Sequence, residues 1–230
     1  MLTLKTFGKS IDEIKSLLKL KNIVFNDNQI FFRLESLNDV KIIINEREFD
    51  KTAELVSVLN EFIYATEDVS IYEQLSYCMM LHKKKINIFE QVSCGSFTAG
   101  LLSNADVHKY LEESLIVTDI LKWNTVFDID IKDLKDNNSI SERNAYFIIS
   151  KIAEKSVADY IVATIGVTEE KDSLNANIIQ PKGLTYIAIK DQKGIDIFKY
   201  NYKNLSQLDL QTIVSKQLCF MLLNKIKHQY

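Results

Sequence analysis

The chain has 230 residues, of which 47% are hydrophobic and 26% charged, a composition typical of a globular protein with one large or two small domains. Its formal net charge of −3 gives no electrostatic reason to expect direct nucleic-acid binding, which requires a basic face. No apolar run is long enough to span a membrane, and the N-terminus lacks the apolar core of a signal peptide, so the cytoplasm is the expected location.

The N-terminal part, residues 1–68, is predicted to form a small α/β domain. Ser10 and Glu13 have the capping-box spacing that starts a helix. An apolar pattern with helical spacing covers residues 49–63. Between these two helices lie three strand candidates, at residues 22–25, 29–34 and 40–44.

The rest of the chain, residues 69–230, alternates between helical and strand patterns and is predicted to be a second domain. Capping boxes begin its first and last helices, at Ser70 and Ser206. The turn at 191–194 separates two strand patterns and predicts a hairpin. The predicted elements begin with a helix at 70–83, a strand at 86–92 and a helix from 99. They continue with a strand at 114–117, a helix at 141–156, a strand at 161–167, the hairpin strands 183–189 and 195–200, and a helix from 206.

The segment between residues 86 and 103 is the most informative stretch. Its apolar strand pattern breaks at Ser93, Cys94, Gly95 and Ser96, and an amphipathic run follows. This order predicts a strand, a tight turn and a helix. Free backbone N–H groups at the start of such a helix attract anions and can support a nucleophile.

Cysteine and histidine spacing argues against a metal site. The chain has three residues of each type, all widely separated: Cys78, Cys94, Cys219, His82, His108 and His228. They form no C-x-x-C or H-x-x-x-H pair, so we expect no disulfide framework, metal or other cofactor, and no serine–histidine triad. Cys94 lies in the central turn, where a helix end could stabilise a thiolate; a packed, unreactive side chain is the alternative.

Residues 96–103, Ser-Phe-Thr-Ala-Gly-Leu-Leu-Ser, resemble the S-C-T-G-G-L-L-A motif of the CinA C-terminal domain. This family includes bacterial nicotinamide-mononucleotide amidohydrolases. Residues 4–8 and 62–68 resemble the opening and closing motifs of the small middle domain of CinA proteins. Further similarities follow in the family's order, at residues 110–122, 139–142, 158–167 and 181–188.

This resemblance implies a three-layer α/β/α CinA C-terminal-like domain at 69–230, preceded by a small α/β domain at 1–68. In full-length CinA proteins a nucleotide-processing domain comes first, and Met1 falls almost at its junction with the middle domain. The pyrophosphatase chemistry of that first domain is therefore not expected of this chain.

The resemblance also implies an activity, the hydrolysis of a pyridine-nucleotide carboxamide with release of ammonia, and a homodimer. Ser96 corresponds to the family's motif serine and would be the nucleophile. Thr98 would cap the helix or contact a phosphate, and Lys122 would act as a base or phosphate clamp. Substrate and phosphate binding is expected where the backbone can approach a ligand, at Gly95, Ala99, Gly100, Gly166 and Gly183.

Simpler roles explain the same residues. Ser96 and Thr98 could serve only as helix caps, and Lys122 could be an ordinary solvated lysine. A shifted register, with Ser93 and Cys94 as the family's Ser-Cys pair, would displace the following Thr-Ala-Gly-Leu-Leu by two residues. We therefore prefer Ser96 and Thr98.

Departures from the family pattern support a second hypothesis. The glutamate that precedes the motif serine falls at Gly95, unless Glu90 substitutes for it. A glycine-rich family segment is replaced at 166–170 by a sequence ending in two glutamates, which would repel a phosphate. The arginines before the family's last helix are missing, with Lys182 and Lys203 as candidate replacements. The alternative is thus a catalytically degenerate CinA-like nucleotide-binding or protein-assembly module.

Overall fold

The computed structural model describes residues 1–47, 49–119, 122–130, 132, 140–168 and 180–228. Two compact units divide the chain. One consists of Met1–Leu75 and the residues from Cys219 onward, and the other of Ser76–Leu218. Each unit combines helices with a sheet, which confirms the predicted α/β class.

The first unit contains a four-stranded antiparallel sheet. Its strands are β1 (Leu2–Phe7), β2 (Ile30–Ser36), β3 (Asp39–Ile44) and β4 (Ile63–Ala65), in the spatial order β2-β3-β1-β4. Its helices are α1 (Ile11–Leu20) and α2 (Thr52–Leu59). The predicted capping box is confirmed, because the Ser10 hydroxyl accepts from the Glu13 N–H and the Glu13 carboxylate accepts from the Ser10 N–H.

Two predictions for this unit are wrong. No strand forms at 22–25, because Asn22 takes a left-handed conformation with φ of 57° after α1, and the Ile23 N–H then donates back to Leu18. The helix predicted over 49–63 ends at Leu59, and the chain enters β4. The sequence reasoning also missed β1, which pairs with both β3 and β4.

One face of this sheet carries the core of the unit. Alternate strand residues such as Leu4 and Ile42 face α1 and α2, and both are fully buried. The buried apolar residues of this cluster are Leu4, Ile14, Leu18, Ile23, Ile30, Val40, Ile42, Ile44, Phe49, Leu55, Leu59 and Ile63.

A row of cations crosses this sheet. Strand register places Lys41 beside both Lys5 and Arg33. Like charges in such positions repel each other, and two carboxylates offset the repulsion. Glu35 pairs with Arg33 at 3.3 Å and with Lys5 at 3.7 Å, while Asp68 pairs with Lys41 at 2.5 Å and with Lys5 at 3.8 Å. The Lys5 side chain is only 5% exposed, so these partners neutralise a buried charge.

The second unit is built on a five-stranded mixed sheet. Its strands are β5 (Ile86–Glu90), β6 (Leu111–Ile116), β7 (Tyr160–Gly166), β8 (Leu184–Asp191) and β9 (Gly194–Asn201). The spatial order is β6-β5-β7-β8-β9. β5, β6 and β7 are parallel, whereas β8 and β9 form the predicted hairpin and β8 runs antiparallel to β7.

The described α-helices besides α1 and α2 include the helix of the strand-turn-helix predicted at the centre of the sequence. They are α3 (Ile71–Leu81), α4 (Ser96–Leu102), α5 (Trp123–Phe127), α6 (Glu142–Ala153) and α7 (Gln207–Lys227). Among the described residues, no helix combines the length and apolar character that a membrane span requires.

The two faces of the five-stranded sheet differ at β5. Phe89 lies in an apolar cluster with α5 and α6, and its ring makes edge contacts with Trp123 at 6.0 Å and Phe127 at 5.0 Å. Because side chains alternate along a strand, Glu90 points to the opposite face, where it meets α4. One strand therefore supplies an apolar face and, at its end, a buried carboxylate.

Asp68 makes the stability of the protein dependent on pH. The hydrogen bond from Lys41, aided by the positive charge of the row, lowers the pKa of Asp68. A lowered pKa in the folded state stabilises the protein above the unfolded pKa of about 4, and this stabilisation disappears as the pH falls through the folded value. The wild type should therefore lose more stability than Asp68→Asn between pH 6 and pH 3 in urea unfolding.

Asp27→Asn provides the matched control, because Asp27 is also exposed but lies outside the cation row. The free energy of unfolding of Asp27→Asn should change with pH in the same way as that of the wild type. Parallel curves for the wild type and Asp68→Asn would contradict this account.

Candidate functional site

The candidate site lies where the parallel strands of the second unit end. β5, β6 and β7 bring their carboxyl ends to one edge of the sheet, the usual position of ligand sites in open α/β sheets. Residues 91–95 form the turn from β5 to α4, and α4 begins at Ser96. The predicted strand, turn and helix are therefore confirmed.

Two consecutive residues in left-handed conformations make this turn possible. Cys94 has φ of 49° and Gly95 has φ of 88°. A Cβ atom at Gly95 would lie 2.7 Å from Cδ1 of Ile116, so both the conformation and the space favour glycine. The position that resembles the family's motif glutamate thus cannot easily carry a side chain.

The Glu90 carboxylate occupies the N-terminus of α4. Glu90 has no exposed surface, and its Oε2 accepts from the N–H groups of Gly95 at 3.0 Å and Phe97 at 3.1 Å. Its Oε1 accepts from the Thr98 N–H at 2.8 Å and from the Thr98 hydroxyl at 2.5 Å. A negative charge is favourable at a helix N-terminus, so Glu90 fills the place at which an anionic ligand was expected.

Thr98 is a structural link between α4 and β6. Its hydroxyl has one proton, which it donates to Glu90, so the Ser114 hydroxyl donates in turn to Thr98, at 2.5 Å. Thr98 is only 7% exposed. The hydroxyl accepts from no backbone N–H of α4, so Thr98 is not a side-chain cap, and its contact with a substrate stays a prediction.

The first part of the turn is tied to the end of β7. The Ser93 hydroxyl pairs with the Thr164 hydroxyl at 2.6 Å, and the Gly166 N–H donates to the Gln91 side-chain oxygen at 2.7 Å. Ser93 has no exposed surface. Ser93 is therefore buried and hydrogen-bonded within the turn, and the choice between the two registers stays a prediction.

Ser96 is the predicted nucleophile, and it lies at the first position of α4. The residue is half-buried, its N–H donates to the Ser93 carbonyl at 2.9 Å, and its hydroxyl forms no hydrogen bond with any described residue. Lys122 is exposed just before α5, and its ammonium has no ion pair with a described residue. No hydrogen bond brings Ser96 and Lys122 together in the described part of the chain.

The backbone groups expected to bind substrate or phosphate are mostly occupied. The Thr98 N–H donates to Glu90, and the Ala99 N–H donates to the Gly95 carbonyl at 2.8 Å; the role of Ala99 in ligand binding stays a prediction. Gly100 lies within α4. Because internal bonds fix this helix start, the N–H groups cannot serve an oxyanion without breaking them.

The two remaining glycines hold strand ends together. The N–H of Gly166 is bound by Gln91, as described above, and the N–H of Gly183 donates to the Val167 carbonyl at 2.9 Å. Gly183 has φ of 91°, and a Cβ there would lie 1.8 Å from the Tyr202 carbonyl oxygen. Their roles in ligand binding stay predictions. The glutamates at 169 and 170 lie outside the described residues.

Cys94 lacks the properties of a reactive thiol. Burial raises its pKa, the nearby charge of Glu90 raises it further, and a hydrogen bond with Gln211 opposes these effects. The Sγ–H donates to the Gln91 carbonyl at 3.2 Å. The thiol is therefore mainly protonated near neutral pH, which agrees with a packed, unreactive side chain.

A cationic pocket lies at the same edge of the sheet, beside the start of β8 and the end of β9. It has a volume of about 370 Å³. Burial raises the pKa of Tyr202, and its phenolic oxygen has no hydrogen-bond partner among the described residues. The residues lining the pocket are Pro181, Lys182, Tyr202, Lys203, Asn204, Leu205 and Leu210.

This pocket brings together the two lysines named as candidate replacements for the missing arginines. Lys182 and Lys203 are 21 positions apart in the sequence, and the β8–β9 hairpin brings the chain back to the same place. Sequence spacing alone could not reveal this proximity. Within the described residues, no group of three or more His, Cys, Asp or Glu side chains could hold a metal ion.

Removal of the Glu90 carboxylate should destabilise the protein. Glu90→Ala leaves the N–H groups of Gly95, Phe97 and Thr98 and the Thr98 hydroxyl without their acceptor. We expect a loss of roughly 4 kcal/mol or more in the free energy of unfolding, because each unsatisfied buried group costs about 1–3 kcal/mol. Urea unfolding of the purified variant measures this loss.

Glu90→Gln is the informative comparison, because it retains the shape and one acceptor oxygen but removes the charge. The free energy of unfolding of Glu90→Gln should lie between those of the wild type and Glu90→Ala. A Glu90→Ala protein as stable as the wild type would mean that Glu90 does not hold the helix start.

Sequence and structure comparisons identify the family. The model of the CinA C-terminal domain matches residues 69–226. A competence-damage inducible protein of Streptococcus pneumoniae strain CGSP14 is 23% identical over 181 residues, which cover 78% of this chain and 42% of the relative. The corresponding protein of strain Hungary19A-6 is 24% identical over the same length. The chain thus spans less than half the length of these curated relatives.

Solved structures give the same fold. A CinA superfamily protein from Klebsiella pneumoniae 700603 superposes with a TM-score of 0.61 at 14% identity, covering 70% of this chain and 99% of the other. A competence/damage inducible protein from Agrobacterium tumefaciens gives 0.58 at 16% identity, with the same coverages. Identities this low establish only the fold. The family match at residues 69–226 covers most of the chain, and the protein therefore belongs to the CinA C-terminal domain family.

Proposed function

We propose that this chain is a CinA-like module that binds a phosphorylated small molecule, a pyridine nucleotide in the chemistry of the family, without hydrolysing its amide. The observation that carries this proposal is the Glu90 carboxylate at the start of α4. It occupies the donors that amide hydrolysis would need.

Amide hydrolysis requires donors aimed at the oxyanion of the tetrahedral intermediate, at about 2.7–3.1 Å. At α4, the N–H groups of Gly95, Phe97 and Thr98 already donate to Glu90 at comparable distances. A developing oxyanion beside this carboxylate would also experience like-charge repulsion. The helix start is therefore arranged to stabilise itself rather than a transition state.

A serine nucleophile also needs a base within hydrogen-bond reach, about 2.6–3.2 Å. The Ser96 hydroxyl has no hydrogen bond with a described residue, and Lys122 is exposed. Thr98 cannot take the proton, because its hydroxyl is held by Glu90 and Ser114. The described residues thus lack the activating contact of a serine hydrolase.

The cationic pocket supports the binding of an anion. Lys182 and Lys203 supply two ammonium groups to its lining. None of the described residues lining the pocket is acidic. A phosphate group combines the charge and acceptor capacity that suit these donors.

Deamidation of nicotinamide mononucleotide is the second candidate. It is favoured by one observation, the Ser96 hydroxyl at a half-buried helix start, which forms no hydrogen bond with a described residue. Membership in the CinA C-terminal domain family raises the same hypothesis. The homodimer implied by the resemblance stays a prediction.

Ammonia release distinguishes the two candidates. Purified protein incubated with nicotinamide mononucleotide should release no more ammonia than a sample without protein, because the N–H groups at the helix start are bonded to Glu90 and no described residue serves as a base at the Ser96 hydroxyl. The Ser96→Ala variant should behave identically. Multiple turnovers that disappear in Ser96→Ala would establish the deamidase and overturn the non-catalytic assignment.

Calorimetric titration with nicotinamide mononucleotide tests the binding role. Lys182→Ala and Lys203→Ala should each weaken binding by roughly tenfold or more, since a charge-assisted hydrogen bond contributes about 1.5–3 kcal/mol. Lys193→Ala is a charge-matched control, because Lys193 lies in the β8–β9 turn at the far end of the hairpin.

The control should bind the nucleotide with wild-type affinity. Equal affinities for all three lysine variants would place the ligand elsewhere. An absence of binding at millimolar nucleotide would contradict the proposed ligand class.

A further inference from the structure

The strand β2 lies at an edge of the four-stranded sheet. In the spatial order β2-β3-β1-β4 it has one neighbouring strand, β3, and no strand of the described chain pairs with its other side. Two of its apolar side chains, Phe31 and Leu34, are each 57% exposed. A strand edge of this kind can pair with another extended chain through backbone hydrogen bonds.

The hydrogen-bond pattern shows which backbone groups of β2 face the open side. The Asn45 N–H donates to the Gln29 carbonyl, so these opposed residues form a hydrogen-bonded pair. Such pairs alternate along antiparallel strands. In the register of β2 and β3, Arg33 therefore bonds with β3, whereas the N–H and C=O groups of Phe32 and Leu34 point to the open side.

The available part of the edge is short. At one end the Ile30 N–H already donates to the Asn26 carbonyl at 3.1 Å. At the other end the register with β3 shifts between Leu34 and Ser36, which marks a bulge. Between these ends, the backbone groups of Phe32 and Leu34 bond with no described residue. A partner strand can thus form up to four backbone hydrogen bonds here.

The charge at this edge is positive. The cation row of the sheet ends at Arg33, because β2 is the outermost strand that the row crosses. The Arg33 side chain is 65% exposed, and its Nε lies 3.3 Å from one carboxylate, that of Glu35. The described row has three cations and two carboxylates, so one positive charge is not offset. On an added strand, the position beside Arg33 therefore favours a carboxylate.

The positions next to this carboxylate favour apolar side chains. Side chains alternate along a strand, so the partner residues on either side of the carboxylate lie beside Leu34 and Phe32, on the opposite face. The following partner residue lies beside the exposed Phe31, on the same face as Arg33. In chain order, an antiparallel partner is therefore apolar, acidic, apolar and aromatic.

Two copies of β2 fit each other poorly. An antiparallel pair that uses the free groups on both strands brings Phe32 opposite Leu34 of the second copy. This register places the two Arg33 residues directly opposite each other, where like charges are destabilising. The edge therefore favours a different chain over a second copy.

We propose that β2 is a docking edge for an extended acidic peptide segment of another protein. The segment adds a fifth antiparallel strand, places an aspartate or glutamate beside Arg33, and covers Leu34 with an apolar side chain. This edge lies outside residues 69–226, which match the family model, and it shares no residue with the cationic pocket. It is consequently independent of the proposed nucleotide binding.

Two capped, fluorescently labelled peptides test the charge selection. The probe is Ser-Thr-Val-Glu-Val-Tyr-Thr-Ser, and its matched control has lysine in place of glutamate. Fluorescence anisotropy with the full chain measures both affinities. The glutamate peptide should bind about fivefold more tightly at low salt, because an opposite-charge pair replaces a like-charge pair. This ratio should shrink at about 0.5 M salt, which screens exposed charges.

Three variants complete the experiment. Arg33→Glu reverses the charge of the edge, so the lysine peptide should become the tighter ligand. Arg143→Glu changes an exposed arginine of the other unit and should keep the wild-type preference. Leu34→Pro removes an N–H on the open side, a position where edge strands tolerate proline, and should weaken the binding of the glutamate peptide by roughly tenfold. Circular dichroism verifies that each variant is folded.

Four results would overturn the proposal. The first is the absence of binding of the glutamate peptide at about 5 mM, which leaves less binding energy than even a weak complex has. The second is equal affinity of the wild type for both peptides, and the third is an unchanged preference in folded Arg33→Glu. The fourth is a wild-type dimer in analytical ultracentrifugation that Leu34→Pro abolishes, because the edge would then be occupied by a second copy.

Discussion

The Glu90 carboxylate at the start of α4 is the interaction on which the candidate site depends. It is fully buried, and it accepts hydrogen bonds from three backbone N–H groups and one hydroxyl. A helix N-terminus carries partial positive charge and unsatisfied donors, which a ligand anion or a protein carboxylate can satisfy. In this protein the carboxylate is built into the chain, so the stability of the helix start and its availability to an anion are mutually exclusive.

The surrounding contacts follow from this arrangement. Thr98 connects the capped helix to β6 through Ser114, and Gln91 connects the preceding turn to β7. Three parallel strand ends are thereby joined through side chains rather than through a ligand. Beside the β8–β9 hairpin, Lys182 and Lys203 line one pocket, which is the anion site that we propose. In this chain, two lysines therefore lie near the sheet edge while the N–H groups of the helix start are bonded to Glu90.

The opposite face of the same sheet has a different character. There, β5 contributes Phe89 to an apolar cluster and Asn87 to a small cavity. Packing satisfies the aromatic rings, but one oxygen of the buried amide has no partner in the described chain. Polar groups of this kind lower stability unless a ligand or water completes them. The two faces of β5 therefore differ in character: Glu90 is hydrogen-bonded to α4, whereas Phe89 packs in an apolar cluster.

Local features of this protein are determined by its sequence. The capping box at Ser10, the turn before α4 and the β8–β9 hairpin depend on residues within a few positions of each other, so spacing and residue type predict them. Resemblance to the CinA C-terminal domain also identified the family and the fold class. The sequence analysis nevertheless missed the central strand β1, whose partners β3 and β4 are distant in the chain.

Tertiary structure alone decided which side chains meet. The sequence raised Glu90 only as an alternative to Gly95, and the fold shows its carboxylate on the N–H groups of α4. The proximity of Lys182 and Lys203 requires the return of a hairpin, and the hydrogen bond of Asn87 joins it to Ser156, 69 positions away. Hydrophobic periodicity predicts which face of a helix or strand is buried, but it does not predict which distant residue lies against that face. This pairing of distant residues determines the chemistry of the site.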